Sequence, residues 1–511
     1  MLHVEGGWPD GLDCTDPEQT ARFRKRVEKE EEYVNAVKTM ANTVEHCLKQ
    51  NNAIDIYEEY FCNSTVEHST EPPSARNLTV FKDPQKIKRT ATRISWNPDG
   101  GKKLAVAYST LQFQQAPEGM SPNSYIWDLN NPNFPETTLV PPSPLVSLEY
   151  STRDPNILMG GSYNGLLVFW DLRNGSAPSK MTSIEKSHKD PVYEMSWIQS
   201  KHHECMSTST DGQVLWWDTR KMSEPTDAYT LDTSNKPDTV MGIQGGTSLG
   251  YDVAAGPLKF LVGTEQGYIL SCDKKSKNPN DRIQGVFAGH HGPIYSLQRH
   301  PAYAAKFFLS VGDWTCKVWM QDIRTPIMST KYEMCYLTDG CWSPTRPGVF
   351  FTTKMNGVFD VWDFLYKQNE PTLSIPVGET GLHCMRIEKD QGKLVAFGSM
   401  DGSTTLYEIS DALCVAQANE KQTIIQMFDR ETNRERQLAA IEKEKKVKLK
   451  KLEMEAKQAA DGGEAADSRE SDAKIMELEK EFFDMLGIPQ GGSKQEGNSE
   501  GPGPEEDKAE E

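Results

Sequence analysis

The chain has 511 residues and a net charge of −18, unevenly spread. Residues 1–75 carry −8, 419–460 carry +3 and 461–511 carry −11, which leaves −2 for 76–418, and that balance argues against a nucleic-acid partner, which needs a basic face. No apolar run is long enough to span a bilayer, no leader opens at Met1, and the ten cysteines show no paired spacing, so the expectation is a soluble intracellular protein without membrane contact, disulfide frame or zinc site.

Residues 1–75 read as a partner-binding flank. His3 to Pro9 (HVEGGWP) is too rich in Gly and Pro for a helix, and its Trp8 either folds back on its own domain or anchors in a partner. From Pro17 the pattern turns helical. Phe23, Val27, Val34, Val37, Ala41, Val44 and Leu48 fall at alternating steps of three and four if Glu30 fills the missing place, which predicts one helix with a heptad seam. A lone amphipathic helix cannot bury its own stripe, so it docks on its own domain or on another chain, the second being the expectation. Asn51 to Phe61 (NNAIDIYEEYF) follows, with Ile56, Tyr57, Tyr60 and Phe61 as further candidates for partner contact.

Residues 76–418 are paced by a repeat. A Trp-Asp dipeptide or its decay returns at Trp127-Asp128, Trp170-Asp171, Trp217-Asp218, Cys272-Asp273, Trp319-Met320, Trp362-Asp363 and Tyr407-Glu408, at steps of 43, 47, 55, 47, 43 and 45 residues. Six positions before each mark after the first stand Asn164, Asp211, Gln266, Asp313, Asn356 and Asp401, five of them followed by Gly, as a tight hairpin requires. Each unit therefore reads as hairpin turn, inner strand, then Trp-Asp. The fold class is all-β, a closed seven-bladed WD40 propeller. Leu78 to Phe81 precedes the first blade by one strand and is read as the strand that completes the last blade. His188 and His290 each lie 29 residues before a Trp, so only units three and five can form a buried set of His, strand hydroxyl, turn Asp and Trp.

Residues 419–460 read as a long charged helix whose weak apolar side includes Ile424, Phe428, Leu438, Ile441 and Leu452, with Glu442/Lys446 and Glu444/Lys448 at the i,i+4 spacing of an exposed helix. Residues 461–511 form an acidic tail holding a short amphipathic helix at 474–486, where Phe482 and Phe483 suit a groove in a partner.

No phosphate loop, zinc-protease helix or nucleophile elbow is present, and the pairs His202-His203 and His290-His291 would point to opposite faces of a strand. No enzymatic activity, cofactor or metal is expected. A rigid disc with two helical flanks is, physically, a scaffold.

The chain resembles the WD-repeat dynein intermediate chains of the axonemal outer-arm type. The residues that carry this are HVEGGWP (3–9), Arg22-Phe23-Arg24-Lys25, NNAIDIYEEYF (51–61), SYNG (162–165), STDGQVLWWD (209–218), VGTEQG (262–267), GHHGPIYSLQR (289–299) and VGDWT (311–315). The resemblance implies a non-catalytic subunit of the outer dynein arm, located in the cytoplasm, the cytoskeleton and the axoneme of the cilium or flagellum. It implies that the propeller binds a dynein heavy chain. The N-terminal region would pair with a companion dynein intermediate chain and gather dynein light chains, anchoring the motor on the axonemal doublet microtubule. Members of that family have more chain ahead of the HVEGGWP segment, so light-chain contacts made upstream are not carried over; no K-x-T-Q-T motif is present. Two other readings stay open. Arg173 and Arg220 follow Trp-Asp in the WDxR pattern of cullin ubiquitin-ligase substrate receptors, and a cytoplasmic dynein intermediate chain would share the propeller.

Overall fold

The computed structural model describes residues 12–13, 15–53, 61, 72–110, 117–199, 203–234, 242–276, 278 and 281–461. Trp8, Ile56, Tyr57, Tyr60, Phe482, Phe483 and the 474–486 helix lie outside them. The chain divides into two compact units, Met1–Leu438 and Ala439–Glu511.

Among the described residues, seven four-stranded antiparallel sheets follow one another along the chain. Blade 1 runs Thr90–Trp96, Lys103–Ser109, Ser124–Asp128 and Thr137–Leu139, from the axis outward. Blades 2 to 6 repeat this with consecutive strands. Blade 7 takes Leu382–Ile387, Leu394–Ser399 and Ser403–Ile409 and borrows its outer strand, Ala75–Lys82, from ahead of blade 1, with Ala75 opposite Ile409 and Lys82 opposite Ser403. That borrowed strand contains Leu78–Phe81, and it closes the ring. The Trp-Asp strand is the third from the axis, so it is interior to its sheet but does not line the channel.

The propeller has no single core. Its apolar clusters straddle neighbouring blades: Phe81, Cys384 and Leu406 of blade 7 pack with Ala91, Leu104 and Trp127 of blade 1, and Ala105 and Ile126 of blade 1 with Leu158 and Trp170 of blade 2. Trp127, Trp170, Trp217 and Trp319 are among the largest fully buried side chains. Each blade thus becomes stable only by covering its neighbour.

Because the strands alternate in direction, the turn between second and third strands and the connection to the next blade emerge on the same side of the disc, called here the turn face. The first-to-second and third-to-fourth loops emerge on the opposite face.

The N-terminal helix is not continuous. α1 (Pro17–Val27), capped by Asp16, ends in a tight turn where Lys29 and Glu30 N–H donate to the carbonyls of Arg26 and Val27, and α2 (Glu31–Ala53) starts afresh. The run Glu28-Lys29-Glu30-Glu31-Glu32 explains the break: carboxylates oppose the negative C-terminal end of one helix and favour the N-terminal end of the next. Glu30 therefore fills no seam position. After blade 7 come one helical turn, α3 (Asp411–Cys414), and α4 (Glu420–Asp461).

Candidate interaction surfaces

Blades 3 and 5 join their repeat residues into hydrogen-bonded sets. In blade 3, His188 Nδ1 lies 3.1 Å from Asp211, its Nε2 2.8 Å from the Ser207 hydroxyl, and Trp217 Nε1 donates to that hydroxyl at 3.0 Å. In blade 5 the same set forms from His290, Ser310, Asp313 and Trp319, with distances of 2.7 Å (His290 to Ser310), 2.8 Å (Trp319 to Ser310) and 3.3 Å (His290 to Asp313). Burial pushes both aspartates up, but the histidine and nearby backbone N–H groups outweigh it and hold them below the usual carboxylate range. Each set ties the connection entering a blade to that blade's own hairpin turn. Blade 6 keeps only the Trp362 donation to Thr352, at 3.3 Å.

The turn Asp and Asn side chains accept from the N–H two residues on: Asp211 from Gln213, Asp313 from Thr315, Asn356 from Val358, Asp401 from Ser403. In blade 4, Gln266 is one carbon too long for this, and the Thr264 hydroxyl takes the Tyr268 N–H instead. The following glycines take positive φ. A Cβ on Gly165 would sit 2.1 Å from the His188 carbonyl. In blade 5 Trp314 replaces the glycine and Asp313 itself adopts φ 48°. The aspartates of Trp-Asp play a second role: Asp128, Asp171, Asp218 and Asp363 accept from Asn130, Arg173, Arg220 and Leu365 N–H, bending the chain out of the strand.

Among the described residues the N-terminal seam is covered only in part. α1 has no buried residue, Phe23 and Val27 being half-buried, and Val34, Val37, Val44 and Leu48 on α2 are 37–50 % exposed. Phe61, by contrast, packs against the cluster between blades 5 and 6.

α4 is bound more deeply than its charged sequence implies. Ile424, Met427 and Phe428 are buried on the opposite face of blades 5 and 6, with the Phe428 ring 5.0 Å from Phe307 and 5.8 Å from Phe364. Arg346, fully buried, reaches Asp363 at 2.8 Å, Glu420 at 3.1 Å and the Ala412 carbonyl at 2.8 Å. Burial raises the Asp363 carboxyl to about 6, against the pull of Arg346. Sequence reasoning saw Asp363 only as a repeat residue; its partners Arg346 and Glu420 lie 74 positions apart and carry no local signal.

Along the axis runs a cavity of about 560 Å³ whose lining includes Arg93, Glu149, Glu194 and Arg386. Its charges are largely paired: Arg93 with Glu194, and Arg386 with Asp339 at 2.7 Å. Among the described residues no three His, Cys, Asp or Glu side chains converge as metal ligands, and no helix is long and apolar enough to cross a membrane. The Arg173 guanidinium is held by Asp171 at 2.8 Å and Asp154 at 3.2 Å.

A family model described as the dynein axonemal intermediate chain 3 WD40 domain matches residues 252–412. The human dynein axonemal intermediate chain 2 is 50 % identical over 488 residues, 95 % of this chain and 80 % of its own length. The chain belongs to the axonemal dynein intermediate chain family. The Chlamydomonas reinhardtii 70 kDa intermediate chain of the flagellar outer arm is 48 % identical over 94 % of this chain and 84 % of that one, and the Heliocidaris crassispina ciliary dynein intermediate chain 3 is 51 % identical over 87 % and 74 %. The relatives' names place this family in axonemes of cilia and flagella, which favours neither a ubiquitin-ligase receptor nor a cytoplasmic dynein chain.

Proposed function

We propose that this chain is a non-catalytic intermediate chain of the outer dynein arm. It scaffolds a dynein heavy chain, a companion intermediate chain and light chains, and it helps anchor the motor on the doublet microtubule. The observation that carries this reading is the match to a flagellar outer-arm intermediate chain across 84 % of that chain's length. Chemistry agrees with it: the buried His, Ser, Asp and Trp of blades 3 and 5 are tied into repeat networks, while the valines of α2 stand open to a partner helix. ATP hydrolysis would belong to the heavy chain.

The test is a high-salt extract of demembranated cilia, sedimented on a gradient and probed for this chain. Co-migration with an ATPase heavy chain in a large particle supports the assignment; a chain that is missing from cilia, or that sediments alone, overturns it.

A further inference from the structure

Residues 439–511 form a compact unit of their own, and the described part of it is the second half of α4. Lysines crowd this stretch. Residues 443–451 hold six of them with one glutamate, a charge of +5, and 442–455 keep +2 once the flanking glutamates are counted. Lys446 pairs with Glu442 at 3.0 Å, whereas Lys448, Lys450 and Lys451 are exposed and have no ion-pair partner among the described residues. Val447 and Met454, seven residues apart and therefore on one side of the helix, are 53 % and 60 % exposed. Lys450 lies between them on that side, three positions past Val447 and four before Met454. This side of α4 is both apolar and basic, and it stands open.

The chain carries the complement a short way beyond. Ile475, Leu478, Phe482 and Met485 fall at steps of three, four and three, a heptad stripe flanked by Glu479 and Glu481. Residues 474–486 have a charge of −2 and belong to a tail of −11. A stripe of this kind must be buried against something. α4 ends at Asp461, so twelve residues, 462–473, separate the two.

We infer that residues 474–486 fold back on α4 as an antiparallel helix and cover this side of it. In the register that aligns the two stripes, Leu478 meets Met454, Met485 meets Val447, and Phe482 crosses the aliphatic stem of Lys450. Glu479 and Glu481 then reach the ammonium groups of Lys450 and Lys451, which leave the apolar seam at its edge. The connection allows it. The returning helix starts opposite residue 458, about 5 Å back along α4 and about 8–10 Å to the side, or about 11 Å in all. A chain of twelve residues has a root-mean-square span of about 17–21 Å, so it covers that distance without stretching. The tether also gives the segment an effective concentration of about a millimolar at α4, which a separate partner would have to overcome. An acidic amphipathic helix of another protein therefore enters only by exchange. The inference stands on this unit alone and is independent of the scaffold reading.

The test uses the purified full-length chain with an apolar photo-cross-linking residue at position 447. The adduct is expected within the chain, on the tryptic peptide 481–494, at a yield that does not change on dilution. Leu478→Asp with Met485→Asp should lower the yield about tenfold, since both seam contacts are lost. Glu479→Lys with Glu481→Lys should lower it about fivefold, and adding Lys450→Glu with Lys451→Glu should restore it. All these changes lie outside the propeller, so its melting temperature serves as the control for folding. Absence of an adduct, adducts scattered along the tail without preference, an adduct between two copies of the chain, or a yield indifferent to the Leu478 and Met485 changes overturns the inference.

Discussion

Arg346→Ala should be among the most damaging single substitutions in the propeller. It removes the one cation held between Asp363 and Glu420 and leaves two carboxylates facing each other in a site with no solvent exposure. Stranding buried charges in this way costs about 3–5 kcal/mol. With unfolding entropy of about 2.1 cal/mol/K per residue over roughly 340 residues, one degree corresponds to about 0.7 kcal/mol, so the melting temperature should fall by about 4–7 °C. The loss should shrink as pH falls. Asp363 already titrates at about 6, and a proton on it relieves the repulsion that Arg346 no longer balances. In the wild type the same group acts with the sign of a raised carboxyl: its contribution is whole below about pH 4 and is lost as pH rises through about 6. Replacing all three residues by apolar ones of similar size should recover most of the stability, since the damage lies in the stranded carboxylates. Calorimetry of the full chain, with hydrogen exchange across α4, reads both effects. A variant melting within about 1 °C of wild type at pH 8, with α4 protection unchanged, would falsify the view that Arg346 clasps α4 to the disc.

His300 gives an acid-side prediction. Its Nδ1 accepts N–H from Ala302 and Tyr303, its Nε2 donates to the Pro347 carbonyl, and burial lowers it to about 4, so about 3 kcal/mol of stability should be lost as pH falls from about 6.5 to 4; a flat melting temperature across that window refutes it. Ser310→Ala takes the shared hydroxyl from His290 and Trp319 and should cost about 2–3 kcal/mol, read by denaturant titration; a midpoint equal to wild type would mean the blade 5 set contributes nothing. Phe428→Ala empties a site among Phe307, Trp342 and Phe364 and should cost about 3–5 kcal/mol, with faster hydrogen exchange in the first turns of α4; unchanged exchange there argues that the helix is held by Arg346 alone. Val37→Glu with Val44→Glu should abolish co-sedimentation with the companion chain while leaving the melting temperature within about 1 °C, because both side chains are already about half exposed; intact co-sedimentation places the pairing surface elsewhere.

The propeller was legible because its grammar is local. Turn-former, glycine and Trp-Asp sit within a dozen residues of one another, and a repeated short pattern survives the loss of any one copy, as Cys272-Asp273 and Tyr407-Glu408 illustrate. The two His sets reach further, each histidine lying 29 residues before its Trp, yet they stay within one repeat unit. What escaped depends on pairs remote in sequence. Ile424 and Phe428 looked like a weak stripe on a charged helix, and nothing near them announces that blades 5 and 6 supply the matching groove. The break before α2 was hidden by apolar spacing that stays in phase across a run of acids. Trp314 at a hairpin tip was a visible signal, a large aromatic where glycine is the rule.

The borrowed strand sets a schedule for synthesis. Ala75–Lys82 leaves the ribosome early, yet its mate Ser403–Ile409 emerges about 330 residues later, roughly 15–65 s at ordinary elongation rates. Through that interval the growing ring presents the unsatisfied edge of a waiting strand and the uncovered flank of the latest blade, both inviting association with other nascent chains. Messages that terminate before codon 403 would release a product unable to finish its last blade. The toll of such truncations should therefore appear as insoluble or degraded protein rather than as a shortened subunit that still assembles.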